Sequence, residues 1–243
     1  MQAPPEFHAF SVEHLVVIFL TATLPFVLAA LVRRSQSCAV ARTVAYGLCV
    51  ILLGNYLVYL LFIRHLGELA WQQILPMQLC DWAMVVMMVA LVSGNRRWFD
   101  VAYFWGIGGT LQAVLTPNLR FGFPDLRFLS FFIAHSGIII GVVFLMLTRQ
   151  LRPSPRSIVR AFLWSELYFV VALAVDLVTG VNYGFLLHKP EAFSLLSLLS
   201  DSWPLYLLGM HGLALVFFAI LYLPFAVYDV VAAIRLRASS RVA

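Results

Sequence analysis

Eight polar side chains sit inside stretches that are otherwise apolar: His14, Asn55, Gln78, Asp81, Gln112, His135, Asp176 and His211. In a segment that crosses a bilayer each needs a partner or a task, because an unpaired ionisable group in hydrocarbon is strongly disfavoured. Imidazole suits proton transfer near neutral pH. A carboxylate such as Asp81 or Asp176 can orient it, and the amides of Asn55 or Gln112 can donate to a developing oxyanion. His135 heads this set. It lies eight residues into an apolar helix starting near Arg127, roughly 12 Å below one surface at ~1.5 Å per residue. Ala134, Ser136, Gly137 and Gly141 surround it. Small residues let a neighbouring helix come close, so His135 is expected to face protein.

A second group lies in Leu75–Asp81, LPMQLCD, where Pro76 is expected in the first turn of a helix. Gln78 and Asp81 stand about 60° apart on that helix, and Cys80 lies about 160° from Gln78 and about 100° from Asp81. Cys80 is a candidate nucleophile without an adjacent base in sequence; the alternative is a small packed thiol. The candidate catalytic residues are thus His135, Asp81, Cys80 and His211. His14, Asn55, Gln78, Gln112, Asp176, Asn182 and Tyr183 are the candidate substrate-binding residues. Imidazoles with a carboxylate suit zinc, but no close-spaced ligand motif supports a site, and neither metal nor cofactor is expected. The three cysteines, Cys38, Cys49 and Cys80, suggest no disulfide framework.

The elements that must position these residues are membrane helices. Of 243 residues 63% are hydrophobic and 11% charged, and mean hydropathy is +0.94. Seven windows are long enough to cross a ~30 Å hydrocarbon core: about 14–32, 41–63, 75–93, 99–116, 127–147, 160–179 and 205–231. Gly106, Gly108, Gly109 and Gln112 dilute the fourth and suggest close packing or a backbone break. Twelve of the 16 basic residues fall in alternate loops and the C-terminal tail: Arg33, Arg34, Arg42, Arg96, Arg97, Arg149, Arg152, Arg156, Arg160, Arg235, Arg237 and Arg241. The positive-inside rule makes that side cytoplasmic. Arg64, Arg120, Arg127 and Lys189 lie opposite, with Glu6, Glu13, Glu68, Asp125, Glu191 and Asp201.

The expected fold is all-α: a single domain, 1–243, of seven transmembrane helices in a cell membrane, N-terminus outside and C-terminus inside. The net charge of +5 is read as a topology signal, with no nucleic-acid partner. The first 13 residues carry Glu6 and Glu13 and no basic run, so no cleaved signal peptide is expected. By depth, the eight polar residues lie in the outer half of the membrane, while Asp100, Glu166 and Asp229 are placed near the inner ends. Such a one-sided ring predicts a pocket open to the outer leaflet; independent interhelical hydrogen bonds are the alternative.

Phe10–Leu15 (FSVEHL), Leu75–Asp81, Gly122–His135, Asp176, Asn182–Pro190 (NYGFLLHKP) and Ser202–Phe225 (SWPLYLLGMHGLALVFFAILYLPF) together resemble the YwaF-like family of bacterial integral membrane proteins. The resemblance runs nearly end to end and implies a fold of multiple transmembrane helices. Animal relatives are described as cysteine-dependent acyltransferases acting on ether phospholipids, so it also implies membrane lipids and an acyl-lipid or small-molecule substrate as partners. Three functions follow as expectations: a lipid-modifying enzyme with His135 as base, a small-molecule or lipid transporter, and a seven-helix sensor. No segment specifies an oligomeric state.

Overall fold

A computed structural model describes residues 5–68, 70, 74–190 and 194–239, the last four without side chains. Glu191, Arg241 and the side chain of Arg237, counted among the charges above, lie outside the described residues. Among the described residues the protein is helical, and its one strand-like pairing is an isolated bridge between Glu6 and Phe121. The helices are α1 (Val12–Ser35), α2 (Cys38–His65), α3 (Leu79–Ser93), α4 (Arg96–Trp105), α5 (Leu111–Leu115), α6 (Leu126–Arg149), α7 (Pro155–Thr179) and α8 (Trp203–Ser239). A π-helical turn, Gly106–Thr110, joins α4 to α5. Five helices, α1, α2, α6, α7 and α8, are long and apolar enough to cross a membrane.

The third and fourth windows differ from expectation. Helix α3 starts at Leu79, not 75: Met77 N–H donates to the Leu75 carbonyl in a tight turn, and the Asp81 carboxylate accepts from Gln78 N–H at 3.1 Å. Asp81 thereby fixes Gln78 as the cap, and Pro76 holds the chain before it out of helix. The resulting 15 residues span only about 22 Å. The fourth window is broken where its glycines fall. There the ladder widens to π geometry, and the Thr110 hydroxyl donates to the Gly106 carbonyl. From Arg96 to Leu115 the three pieces together reach about 30 Å.

Helix α6 is the hub. Of its apolar window 67% is buried inside the bundle, against 6–22% for the other four long helices. It packs on α1, α2, α3, α5 and the π turn. Close approach depends on small residues: a Cβ on Gly137 would lie 2.7 Å from Leu52 of α2, and one on Gly141 3.1 Å from Met87 of α3. Helices α1, α2 and α8 turn rows of large apolar side chains outward, as lipid-facing helices do.

Charges sort to the two ends of the bundle. At one end Arg33 donates to the Leu147 carbonyl (2.9 Å) and Arg96 to the Arg152 carbonyl (3.1 Å), while Arg152 pairs with Asp229 at 2.6 Å. Buried Asp100 takes Arg160 there as well. At the opposite end the segment around Glu6 pairs with the turn before α6, Phe7 N–H donating to the Arg120 carbonyl at 3.0 Å. Arg127 there bonds Asp125 at 3.0 Å and packs 3.4 Å above the Phe121 ring.

Candidate functional site

Besides His65 at the end of α2, three histidines lie within long helices, and their ring nitrogens are engaged differently. His14 is fully buried, not at the surface as its position near the helix start suggests. Phe10 N–H donates to its Nδ1 at 2.9 Å, so Nε2 carries the proton and donates to the Val114 carbonyl at 2.7 Å. Phe7, Phe10 and Phe132 enclose the ring. His211 on α8 gives Nδ1–H to the Leu207 carbonyl at 2.6 Å, and its Nε2 lies 3.1 Å from Glu166 Oε2 on α7. Both nitrogens of His14 and His211 are therefore occupied.

His135 keeps one nitrogen in reserve. Its Nδ1–H donates to the Phe131 carbonyl one turn back at 2.7 Å, and the ring stacks on Phe131 with centroids 4.2 Å apart. Nε2, left with a lone pair, meets no partner among the described residues. Its direction follows from its neighbours on α6. Ser136 receives the Thr21 hydroxyl from α1, Gly137 faces α2, Gly141 faces α3, and Ile138 meets the π turn at Gly106. At ~100° per residue, His135 points between α1 and the π turn, away from α3.

Asn55 donates to the Ser130 carbonyl at 3.0 Å and links α2 to α6. Gln112 is exposed, and its amide returns to the Gly108 carbonyl at 3.3 Å. The eight residues thus do not form one ring.

Six of the sequence-selected residues do converge, at the broken start of α3. Gln78 Oε1 accepts from Gly184 N–H at 3.3 Å. Asp176, fully buried near the end of α7, accepts from Tyr183 N–H at 2.9 Å through Oδ1, and its Oδ2 has no hydrogen-bond partner among the described residues. Asn182 Oδ1 accepts from Leu187 N–H at 2.8 Å, closing the connection 180–190 into a compact turn. That turn folds inward, so that Tyr183 and Leu186 are buried. Gly184 permits this: its φ is +59°, and a Cβ there would lie 2.6 Å from the Tyr168 hydroxyl. Tyr168 stands at the centre, donating to the Met77 carbonyl at 3.1 Å with its ring 5.5 Å from Trp82. Cys80, Asp81 and Asp176 lie within electrostatic reach of its hydroxyl. Burial pushes the Tyr183 phenol up, and the carboxylates of Asp176 and Asp81 push it further.

Sequence reasoning missed Tyr168 and misplaced Glu166. Tyr168 carries no motif and reads as a core aromatic. Glu166 was set near the helix end because the window was started at 160, whereas Ser154 caps the helix and Pro155 occupies its first turn. Ser-Pro is a legible start signal, and it places Glu166 about 16 Å from the helix start, level with His211. Among the described residues no group of three His, Cys, Asp or Glu side chains could hold a metal ion.

Long apolar helices, a buried hub and polar side chains bonded across helices define a polytopic helical membrane protein. The chain belongs to the TMEM164 family, which it matches over residues 9–222. It is also 30% identical over 156 residues to an uncharacterized protein of Treponema pallidum (strain Nichols), covering 64% of each chain. The match thus spans just under two-thirds of that relative's length. No solved structure matches.

Proposed function

We propose that the protein crosses a cell membrane seven times, with its arginine-rich end in the cytoplasm. On this reading it is a lipid-modifying enzyme that transfers an acyl group at the outer leaflet. The observation that carries it is that the start of α3, which holds Cys80 and Asp81, is tied to α7 and the turn after it by two hydrogen bonds, Tyr168 to the Met77 carbonyl and Gly184 N–H to Gln78, while Tyr183 N–H ties that turn to Asp176. The resemblance to YwaF-like proteins and their animal relatives points the same way.

In the covalent form, a carboxylate, Asp81 or Asp176, takes the Cys80 thiol proton as sulfur attacks the acyl carbonyl of a donor lipid. The tetrahedral intermediate collapses to a thioester, and the departing lipid oxygen recovers that proton. An acceptor hydroxyl then yields its proton to the same carboxylate, attacks the thioester and releases the thiolate, which is reprotonated. In the direct form no thioester arises, and His135 Nε2 deprotonates the acceptor hydroxyl.

The test is the lipid composition of cells lacking the protein, restored with wild type, Cys80→Ala or His135→Ala at matched membrane levels. Loss with Cys80→Ala, together with a hydroxylamine-labile acyl mass on the wild-type chain, supports the covalent form. Loss with His135→Ala alone supports the direct one. No lipid change with wild type would sink both and favour transport, to which the broken helices at the π turn and the start of α3 are also suited.

A further inference from the structure

At the arginine-rich end, the turn before α4 and the turn before α7 face each other across a cleft of about 640 Å³. Asn95 and Ser154, the caps of the two helices, line it with Arg96, Arg97, Arg156 and Arg160. Both helices begin here, so the positive ends of two backbone dipoles enter one space. A helix start is stabilised by acidic residues and disfavoured by basic ones. Neither helix has an acidic residue in its first turn, and arginines stand there instead. Helix stability does not explain this choice. The positive-inside rule explains the sign of the charge, but it does not require two turns to form a cleft.

The arginines are incompletely neutralised. Arg160 pairs with buried Asp100, among the described residues the one carboxylate bonded to a lining arginine. Arg96 reaches the Arg152 carbonyl, and Arg152 is engaged by Asp229. Arg97 and Arg156 are exposed, and among the described residues neither has an ion pair or a side-chain hydrogen bond. One layer inward, Trp98 of α4 meets Trp164 of α7 with ring centroids 5.2 Å apart, and Val159 and Leu163 of α7 point outward beside the cleft. An aromatic pair flanked by exposed aliphatics is what the water–lipid boundary selects. The cleft therefore opens at headgroup level.

We propose that this cleft is a phosphate-binding site, for a phosphate carried by an anionic phospholipid headgroup or by a soluble phosphorylated molecule. Guanidinium forks bind phosphate in paired hydrogen bonds, and basic pockets between membrane helices hold lipid headgroups. The volume exceeds what a bare phosphate fills and matches a headgroup or small phosphorylated metabolite. The site lies at the end of the bundle opposite the start of α3 and does not rest on the acyl-transfer reading.

The experiment is thermal unfolding of the purified full chain in neutral detergent. It is run alone, with phosphatidylglycerol, with phosphatidylcholine and with inorganic pyrophosphate, for wild type, Arg97→Ala/Arg156→Ala and the same-end control Arg42→Ala/Arg235→Ala. Phosphatidylglycerol is expected to raise the wild-type midpoint more than phosphatidylcholine does. The cleft variant should bind about tenfold more weakly, with an unchanged midpoint in detergent alone, and the control should follow wild type. Stabilisation by pyrophosphate assigns the site to a soluble phosphate; stabilisation by phosphatidylglycerol alone assigns it to lipid. Equal shifts in wild type and the cleft variant, or no shift with either ligand, would overturn the proposal. Should the cleft variant unfold early, Arg97→Gln/Arg156→Gln replaces it in the same comparison.

Discussion

The two ends of the bundle handle polarity in opposite ways. Around α1, α5 and the first half of α6, most polar side chains are answered singly by backbone carbonyls, His14 by Val114, Asn55 by Ser130 and His135 by Phe131, while the buried Ser130 hydroxyl meets no partner among the described residues. At the arginine-rich end charges outnumber their partners, and two guanidiniums stay open beside a cleft. In lipid, then, a polar residue is weak evidence of function, because an unmet donor or acceptor costs more than supplying a partner does. Unused bonding capacity is the stronger signal. It marks His135 Nε2 and Asp176 Oδ2 at one end, and Arg97 and Arg156 at the other.

That contrast is open to experiment. The largest expected effect is on His14, whose replacement by Ala removes two hydrogen bonds, one of them buried, and the centre of an aromatic cluster. A loss of roughly 3 kcal/mol should appear in denaturant unfolding. His135→Ala should cost less than half as much, since the ring makes one hydrogen bond, within its own helix. Equal losses would remove the distinction between a structural histidine and one with a nitrogen to spare.

Next is the α7–α8 staple. Glu166→Leu strips His211 Nε2 of its hydrogen-bond partner and should lower stability by about 2 kcal/mol, whereas Glu166→Gln keeps a hydrogen-bonding amide and should lose about half of that. If both cost the same, the proton between the two groups contributes nothing to stability.

The smallest effect concerns Asp125, which caps α6. Burial alone would raise its carboxyl, but the hydrogen bonds and charge of Arg127 outweigh this and hold it below the usual aspartate range. A depressed folded-state value gives stability that is full above the unfolded value and lost as pH falls through the folded one. Wild type should therefore exceed Asp125→Asn by up to about 1 kcal/mol at neutral pH, the gap closing below about pH 4. A gap that persists in acid would assign the effect to capping geometry, not charge.

The sequence carried the helices better than the contacts. Long apolar windows and alternating arginine turns mark where α1, α2, α6, α7 and α8 run, because length and charge act locally. The start of α3 was not legible: Pro76 suits a helix start as well as a turn before one, and only the bond from Gln78 N–H to Asp81 decides between them. Depth along a helix was only as legible as its start, which failed for Glu166, and direction around it was less so. Hence His135 and Asp81 read as neighbours although α6 turns His135 away from α3. The partners of Asn55 and His14 are main-chain carbonyls, which every residue has and no sequence pattern distinguishes.

The shortness of α3 has a consequence for how the chain enters a membrane during synthesis. Fifteen residues fall below the ~20 a lone helix needs to span, and α4 to α5 reaches about 30 Å only by way of its π turn. The two are joined by Gly94 and Asn95 alone. On the proposed seven-span reading neither half is long enough to partition by itself, so the pair would be taken up together as a hairpin, with its tip and the arginines beyond it held back on the side of synthesis. A chain cut between Ser93 and Arg96 would leave α3 outside the bilayer, however apolar its sequence.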